Sequence, residues 1–177
     1  MTVAGTELTS VLHATVKLPD GWQNSTYAAH RGTTAPPEGM GMVLSLVDNT
    51  FKDPCAHVER SPKIGPTVAD FATALGEIPD ITATRPVQTR IAGYAATSVE
   101  LTIPATLPCQ PHEFYLWQDS PGGDWWVQGA NARIHVWILE VGGRRVSIAT
   151  HSYPTNTTQQ QAELQGILDS LVFEVGS

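Results

Sequence analysis

Two cysteines and two histidines form a residue set of the types that bind metal ions. Cys55 precedes His57 with one residue between them, and Cys109 precedes His112 with two. Two thiolates and two imidazoles make a tetrahedral zinc set, so one interpretation is a metal-binding domain that uses these four side chains. The preferred interpretation is a disulfide between Cys55 and Cys109, because paired cysteines in the loops of an exported chain favour a bond. A third interpretation is that Cys55 and Cys109 are two unrelated free thiols. We therefore assign no metal ligand and predict no cofactor.

Nucleophilic catalysis needs a nucleophile, a base and a carboxylate, and no motif in the sequence fixes such a set. The chain has no G-x-S-x-G and no P-loop, and Leu116 stands where the second histidine of H-E-x-x-H would be. A second hypothesis is a hydrolase-type enzyme with its site in loops 48–66 and 104–111. There His57 or His112 would have to meet a carboxylate and a nucleophile. We predict no catalytic residue and favour a protein that is not an enzyme.

A group of aromatic residues brackets a Pro-Gly-Gly turn at 119–124. Adjacent tryptophans point to opposite faces in an extended segment, so one of Trp125 and Trp126 can fill the core while the other stays near solvent. An exposed tryptophan can stack on a sugar ring or anchor a protein partner, although core packing is the commoner role. The predicted ligand-binding residues are Tyr115, Trp117, Trp125 and Trp126.

The clearest structural element runs over 132–153. Two alternating runs flank Gly142-Gly143, a pair that accepts the positive φ of a type I′ or II′ turn. Neither face of the first run is fully polar, so we expect this hairpin at the centre of a sheet that is covered on both faces. His135 and His151 lie on its paired strands and can form a pH-sensitive or ligating pair, although hydrogen-bonded histidines are the commoner case.

The remaining segments predict an α+β fold. Thr67 as N-cap, with Asp70 three residues later, predicts a helix over 67–75, and Asn156 or Thr157 caps a second helix that ends near residue 170. Alternating or apolar runs predict strands at 11–18, 27–30, 42–47, 81–90, 94–103, 113–118 and 171–175. This order predicts a mostly antiparallel β-sheet with two main helices packed on it. Residues 1–9 are predicted as a flexible N-terminal segment, and residues 10–177 as a single α+β domain.

Charge and hydropathy exclude several function classes. The formal net charge is −7, and no basic cluster is longer than Arg144-Arg145, so we expect no nucleic-acid partner. The chain has no 18-residue apolar run, so we expect no transmembrane segment. The first fifteen residues do not have the pattern of a signal peptide, but a mature or excised domain would look the same. The predicted disulfide favours an extracytoplasmic chain, because such bonds persist in oxidising compartments. Such a chain is either secreted or membrane-anchored through a segment outside this sequence.

Several phrases resemble a known family. They are LPDGW at 18–22, LVDNTFKDPC at 46–55, GPTVADFATAL at 65–75 and ILDSLVF at 167–173. With the order of elements, LPDGW and ILDSLVF resemble the PsbP-like fold of extrinsic photosystem II subunits and LpqN-type lipoproteins. LVDNTFKDPC and GPTVADFATAL also resemble related uncharacterised secreted or membrane-anchored domains of actinobacteria. The resemblance implies a non-enzymatic extracytoplasmic binding or accessory domain whose ligand is a protein partner, a cell-wall component or a small molecule. Its motifs are turn and core residues, so no site residue carries over.

Overall fold

The computed structural model describes residues 1–25, 27–119 and 123–176. The strands are β1 (Thr2–Thr9), β2 (Leu12–Leu18), β3 (Trp22–Ser25), β4 (Ala28–Arg31), β5 (Met40–Ser45), β6 (Val47–Asp53), β7 (Val58–Glu59), β8 (Thr82–Ala83), β9 (Val87–Ile91), β10 (Tyr94–Thr102), β11 (Tyr115–Asp119), β12 (Asp124–Trp126), β13 (Arg133–Val141), β14 (Arg144–Ser152) and β15 (Val172–Val175). The helices are α1 (Val68–Leu75) and α2 (Thr158–Asp169), with a 3₁₀ turn at Pro111–Glu113. The predicted turn at 119–124 includes residues 120–122, which lie outside the described residues.

The strands form three antiparallel sheets. The central sheet has the order β3-β4-β5-β14-β13-β10-β8, and β9 pairs with β10 beside β8. A three-stranded sheet has the order β1-β2-β15, and a four-stranded sheet the order β12-β11-β6-β7. With the two helices packed on these sheets, the predicted α+β class is confirmed.

The predicted hairpin is the middle of the central sheet. Val141 pairs with Arg144, and the two glycines between them have φ values of 57° and 72°, as the predicted turn requires. One face of the sheet packs against α2 and the three-stranded sheet, and the other against α1 and the four-stranded sheet. The expectation of a sheet covered on both faces is therefore confirmed.

Both helices begin where the sequence predicted. The side chain of Thr67 accepts a hydrogen bond from the backbone N–H of Asp70, and the carboxylate of Asp70 accepts one from the backbone N–H of Thr67. Thr157 and Gln160 form the same reciprocal arrangement at α2. Neither α1 nor α2, the α-helices of the described residues, is long and apolar enough to cross a bilayer.

Two segments differ from the sequence prediction. Residues 2–9, predicted as flexible, form β1 along β2, because Ala4 and Leu8 reach the core between polar outward-facing neighbours. Loop 48–66, predicted as irregular, contains most of β6 and all of β7. The polar residues of this segment did not predict a buried strand. Asn49 is nevertheless fully buried, because its side-chain amide donates a hydrogen bond to the carbonyl of Arg60. The grouping of 10–177 into one domain stays a prediction.

Candidate functional site

The two cysteines are joined in a disulfide. Cys55 and Cys109 lie in the loops after β6 and β10, with their Cα atoms 5.8 Å apart. Because both sulfurs are used in this bond, the alternative of a metal site built from Cys55, His57, Cys109 and His112 is wrong. Across the described ranges, no group of three or more histidine, cysteine, aspartate or glutamate side chains is placed to hold a metal ion.

The hydrolase alternative requires a histidine that meets both a carboxylate and a nucleophile, and only the first of these contacts is present in the described residues. The Nε2 atom of His57 lies 2.6 Å from Oδ2 of Asp124, so one of the predicted histidines does meet a carboxylate. Within residues 1–25, 27–119 and 123–176, no hydroxyl group hydrogen-bonds that imidazole. His112 is exposed, and its Nε2 lies 3.9 Å from the carboxylate of Glu113 next to it. The structure therefore gives this alternative no support.

One part of the predicted aromatic group lies at the surface. We define the aromatic patch as His57, Tyr115 and Trp126, which lie on the four-stranded sheet and the loop beside it. Trp126 is 40% exposed, and its ring is 6.5 Å from that of Tyr115 in an edge-to-face arrangement. The ring of His57 lies 4.3 Å from that of Tyr115, and 4.9 Å from that of the buried Phe51, on which it stacks. The rings of His57, Tyr115 and Trp126 therefore form one continuous aromatic cluster above Phe51.

The other predicted ligand-binding residues face inward. Trp117 is fully buried and packs edge-to-face against Phe71 of α1, 5.7 Å away, so its prediction as a surface ligand-binding residue needs correction. Trp125 is half-buried, with its ring 4.3 Å from that of Trp117. Trp125 and Trp126 thus point to opposite faces, as their adjacency in an extended strand predicted. The sequence could not show that the bulge in β11 turns Trp117 toward the core.

A groove that the sequence did not predict runs between α2 and the central sheet. We call it the helix groove; its cavity volume is about 610 Å³. Its floor is formed by β13 and its neighbours, and its wall by Gln161, Leu164 and Gln165 of α2. A second cavity of about 430 Å³ shares Trp137 and Gln165 with the first and continues toward Leu171.

Two stacked rings form the centre of the groove floor. His135 and Trp137 lie in contact, with ring centroids 3.7 Å apart and an interplanar angle of 21°. Burial lowers the pKa of His135, against a smaller opposing effect of Glu100, whose carboxylate is 3.9 Å from Nδ1. Nε2 of His135 is buried without a hydrogen-bond partner among the described residues. The His135–Trp137 stack is therefore an uncharged aromatic surface at neutral pH.

The one sequence signal for this groove is the alternation of β13, which places Arg133, His135 and Trp137 on one face. Their exposure depends on where α2 docks, and no local pattern gives that position. The alternative that His135 and His151 form a pair is wrong. The register sets His135 opposite Thr150 and Ile134 opposite His151, so the two histidines point to opposite faces.

Two titratable side chains outside both surfaces are shielded from solvent, His151 as a buried residue and Asp119 as a half-buried one. Burial raises the pKa of Asp119 to about 7, although the hydroxyl of Ser45 donates a hydrogen bond to its Oδ2 at 2.9 Å. Burial lowers the pKa of His151 to about 4, beneath a loop whose Thr34 carbonyl accepts a hydrogen bond from Tyr153. Neither side chain belongs to the groove or the patch, so we treat both as determinants of stability.

Comparison with known proteins identifies the fold. No protein-family model matches the chain, and no curated protein matches it in sequence. Among solved structures, the chain is similar to LpqN of Mycobacterium tuberculosis, a protein described as involved in cell envelope biogenesis. The TM-score is 0.52 at 10% identity, and the match covers 97% of this chain and 91% of LpqN. It also matches PsbP (CyanoP) of Synechocystis sp. PCC 6803, with a TM-score of 0.43 at 10% identity over 98% and 92% of the two chains. The LpqN match confirms the predicted PsbP-like and LpqN-like fold.

Proposed function

We propose that this chain is a non-enzymatic accessory domain of the cell envelope that binds a ligand in the helix groove. Its location is outside the cytoplasm, as a secreted or membrane-anchored domain of the actinobacterial type. The disulfide supports this, because such bonds persist in oxidising compartments. The similarity to LpqN supports an envelope role, since that protein is described as involved in envelope biogenesis.

The helix groove is the observation that carries the proposal. Small-molecule sites are concave, with volumes of roughly 300–1,000 Å³, and combine an aromatic or apolar surface with a few polar groups that fix orientation. The groove, at about 610 Å³, combines the His135–Trp137 stack with the side-chain amides of Gln161 and Gln165. Within the described part of the chain, no nucleophile meets a base there, which favours binding over catalysis.

The chemistry of the groove favours an uncharged, hydroxyl-rich ligand, such as a carbohydrate component of the envelope. The half-buried rings of the stack offer an aromatic surface to the apolar face of a sugar ring. Amides and hydroxyls, including those of Thr102 and Ser152, donate and accept hydrogen bonds along the walls. The lining carries one carboxylate, Glu100, and one guanidinium, Arg133, so its formal charges cancel at neutral pH.

The test is calorimetric titration of the purified chain with soluble disaccharide and tetrasaccharide fragments of peptidoglycan and with neutral glucan oligomers. We expect at least one series to bind saturably, and Trp137→Ala to weaken that binding at least tenfold. Trp126→Ala on the distant patch is the matched tryptophan control and should leave the affinity unchanged. Gln165→Ala, a change on the surface of α2, tests the same groove with little risk to folding. Unchanged affinity in both groove variants would contradict the proposal.

A further inference from the structure

We propose that the aromatic patch is a docking site for a cationic segment of a protein partner, with arginine as the side chain it binds best. This inference does not depend on the ligand of the helix groove. It uses a different sheet, different side chains and a different kind of partner.

The patch exposes large aromatic surface where the fold does not need it. Trp126 is 40% exposed, although its neighbour Trp125 packs against the core from the same short strand. Val58, on the adjoining edge strand β7, is 47% exposed and extends the apolar surface. Tryptophan and tyrosine are enriched among the residues that dominate binding energy at interfaces. A contiguous group of them at the surface is a feature of binding sites rather than of solvated faces.

The patch is held rigidly before any partner arrives. His57 has a φ of 55°, in the left-handed region that residues other than glycine rarely adopt, and its ring is fixed by Asp124 and stacked on Phe51. Two residues earlier, Cys55 is bonded to Cys109. The backbone N–H of Tyr115 donates to the carbonyl of Pro54 at 3.3 Å, which ties β11 to the same loop. Because these rings are ordered in advance, binding costs less conformational entropy.

The charges around the patch select a cation. The segments that carry it, 51–59, 111–118 and 124–128, hold four carboxylates against one lysine, Lys52. The carboxylates are Asp53, Glu59, Glu113 and Asp124. Glu59 is exposed and accepts a hydrogen bond from the side chain of Gln118, 3.2 Å away, while Asp124 binds His57. The whole chain carries −7, so its field also attracts cations and repels anionic partners.

Arginine fits these features better than lysine does. A guanidinium is planar, so it can stack on the ring of Trp126. Its N–H groups can at the same time donate to a carboxylate such as that of Asp124, which lies two residues earlier on the same face of β12. An ammonium group offers a point charge without that stacking surface. A segment with several arginines can therefore use the aromatic surface and the acidic surroundings at the same time.

The test is a titration of the isotope-labelled chain with a terminally blocked tetra-arginine peptide, followed by amide and indole chemical shifts. We expect saturable shifts at Trp126, Tyr115 and His57. Trp126→Ala should weaken binding about fivefold or more, and Trp126→Phe should restore most of the affinity. A matched tetra-lysine peptide should bind more weakly. The groove variant Trp137→Ala should bind the arginine peptide as the wild type does, so a failure here and a failure of the groove proposal are distinguishable.

Two outcomes would overturn this inference. One is that Trp126→Ala binds tetra-arginine as tightly as the wild type, which would mean that net charge alone attracts the peptide. The other is that an uncharged blocked peptide of the same length binds equally well. Val87→Ala, a change at another exposed apolar side chain on a different sheet, is the control for general surface effects.

Discussion

Asp119 is a carboxyl group whose proton the folded chain holds more tightly than the unfolded chain does. Its pKa is about 7 in the structure and 3.8 without the fold, because burial disfavours the carboxylate. The free energy of unfolding should therefore fall as the pH rises from about 4 through about 7. One pKa unit corresponds to about 1.4 kcal/mol, so this loss reaches about 4 kcal/mol as an upper limit.

We predict that Asp119→Asn stabilises the protein above pH 7 and has little effect near pH 4. The amide stays uncharged at both pH values, and its oxygen can still accept the hydrogen bond of the Ser45 hydroxyl. Urea unfolding at pH 4.5, 6 and 8 measures the difference. Asp80→Asn, at an exposed aspartate, removes the same charge without the burial and should show no such trend. Equal stability of Asp119→Asn and wild type at pH 8 would contradict the prediction.

His151 should act in the opposite direction over an overlapping pH range. Its pKa is about 4 in the fold against 6.5 outside it, so folding disfavours the imidazolium. The stability that this group contributes is fully present above pH 6.5 and is lost as the pH falls from 6.5 to 4, by about 3 kcal/mol at most. In the wild type this loss and the opposite effect of Asp119 largely cancel.

We predict that His151→Gln is less stable than the wild type because its packing is altered. We also predict that its free energy of unfolding depends on pH differently from that of the wild type. Between pH 4 and 6.5 its unfolding free energy should decline as the pH rises, because the effect of Asp119 then exceeds the opposite effects of groups with smaller pKa shifts, such as His135. His13→Gln, at a less buried histidine, should keep the flatter wild-type profile. Parallel pH profiles for His151→Gln and wild type, measured by urea unfolding, would show that His151 is not the second group.

At the scale of elements, the disulfide is the connection whose loss is easiest to test. It closes a loop with a sequence separation of 54 residues, for which the chain-entropy model gives roughly 4 kcal/mol. We predict that the double variant Cys55→Ala, Cys109→Ala unfolds with about that much less free energy, with 2–5 kcal/mol as the usual range. Denaturant unfolding measures this value. A reductant should destabilise the wild type and leave the double variant unchanged, and a loss below about 1 kcal/mol would contradict the prediction.

The elements also show which features a sequence can predict. The Gly142-Gly143 hairpin and the capped starts of α1 and α2 follow from local rules of backbone conformation, and the structure has all three. Which side of a strand meets solvent depends on distant packing. Trp117 is fully buried and Trp126 is exposed, although their local sequence contexts are similar. The bulge in β11 and the position of α1 determine which of the two rings is buried. The helix groove needs the docking of α2, which leaves no local signal.

At the scale of the whole molecule, the central sheet separates two candidate surfaces. The helix groove lies on the face that packs against α2, and the aromatic patch belongs to the sheet that covers the opposite face. An accessory domain with this arrangement can hold an envelope ligand and a protein partner at the same time.

This arrangement predicts that the two surfaces bind independently. Saturating tetra-arginine peptide should change the affinity of a groove-binding saccharide by less than about twofold, since the two surfaces share no residue and lie on opposite sides of the central sheet. Calorimetric titration with and without the peptide measures this. A change of tenfold or more in either direction would mean that the surfaces overlap or are coupled.

The proposal that the helix groove binds carbohydrate is tested most directly by locating a bound saccharide fragment on the isotope-labelled chain. The peptidoglycan and glucan fragments would be added stepwise while amide and indole shifts are recorded. We expect the largest shifts at His135, Trp137 and Gln165, with the indole N–H of Trp126 unmoved. Shifts centred on Tyr115 and Trp126, or no saturable shift with any fragment, would contradict a carbohydrate-binding helix groove.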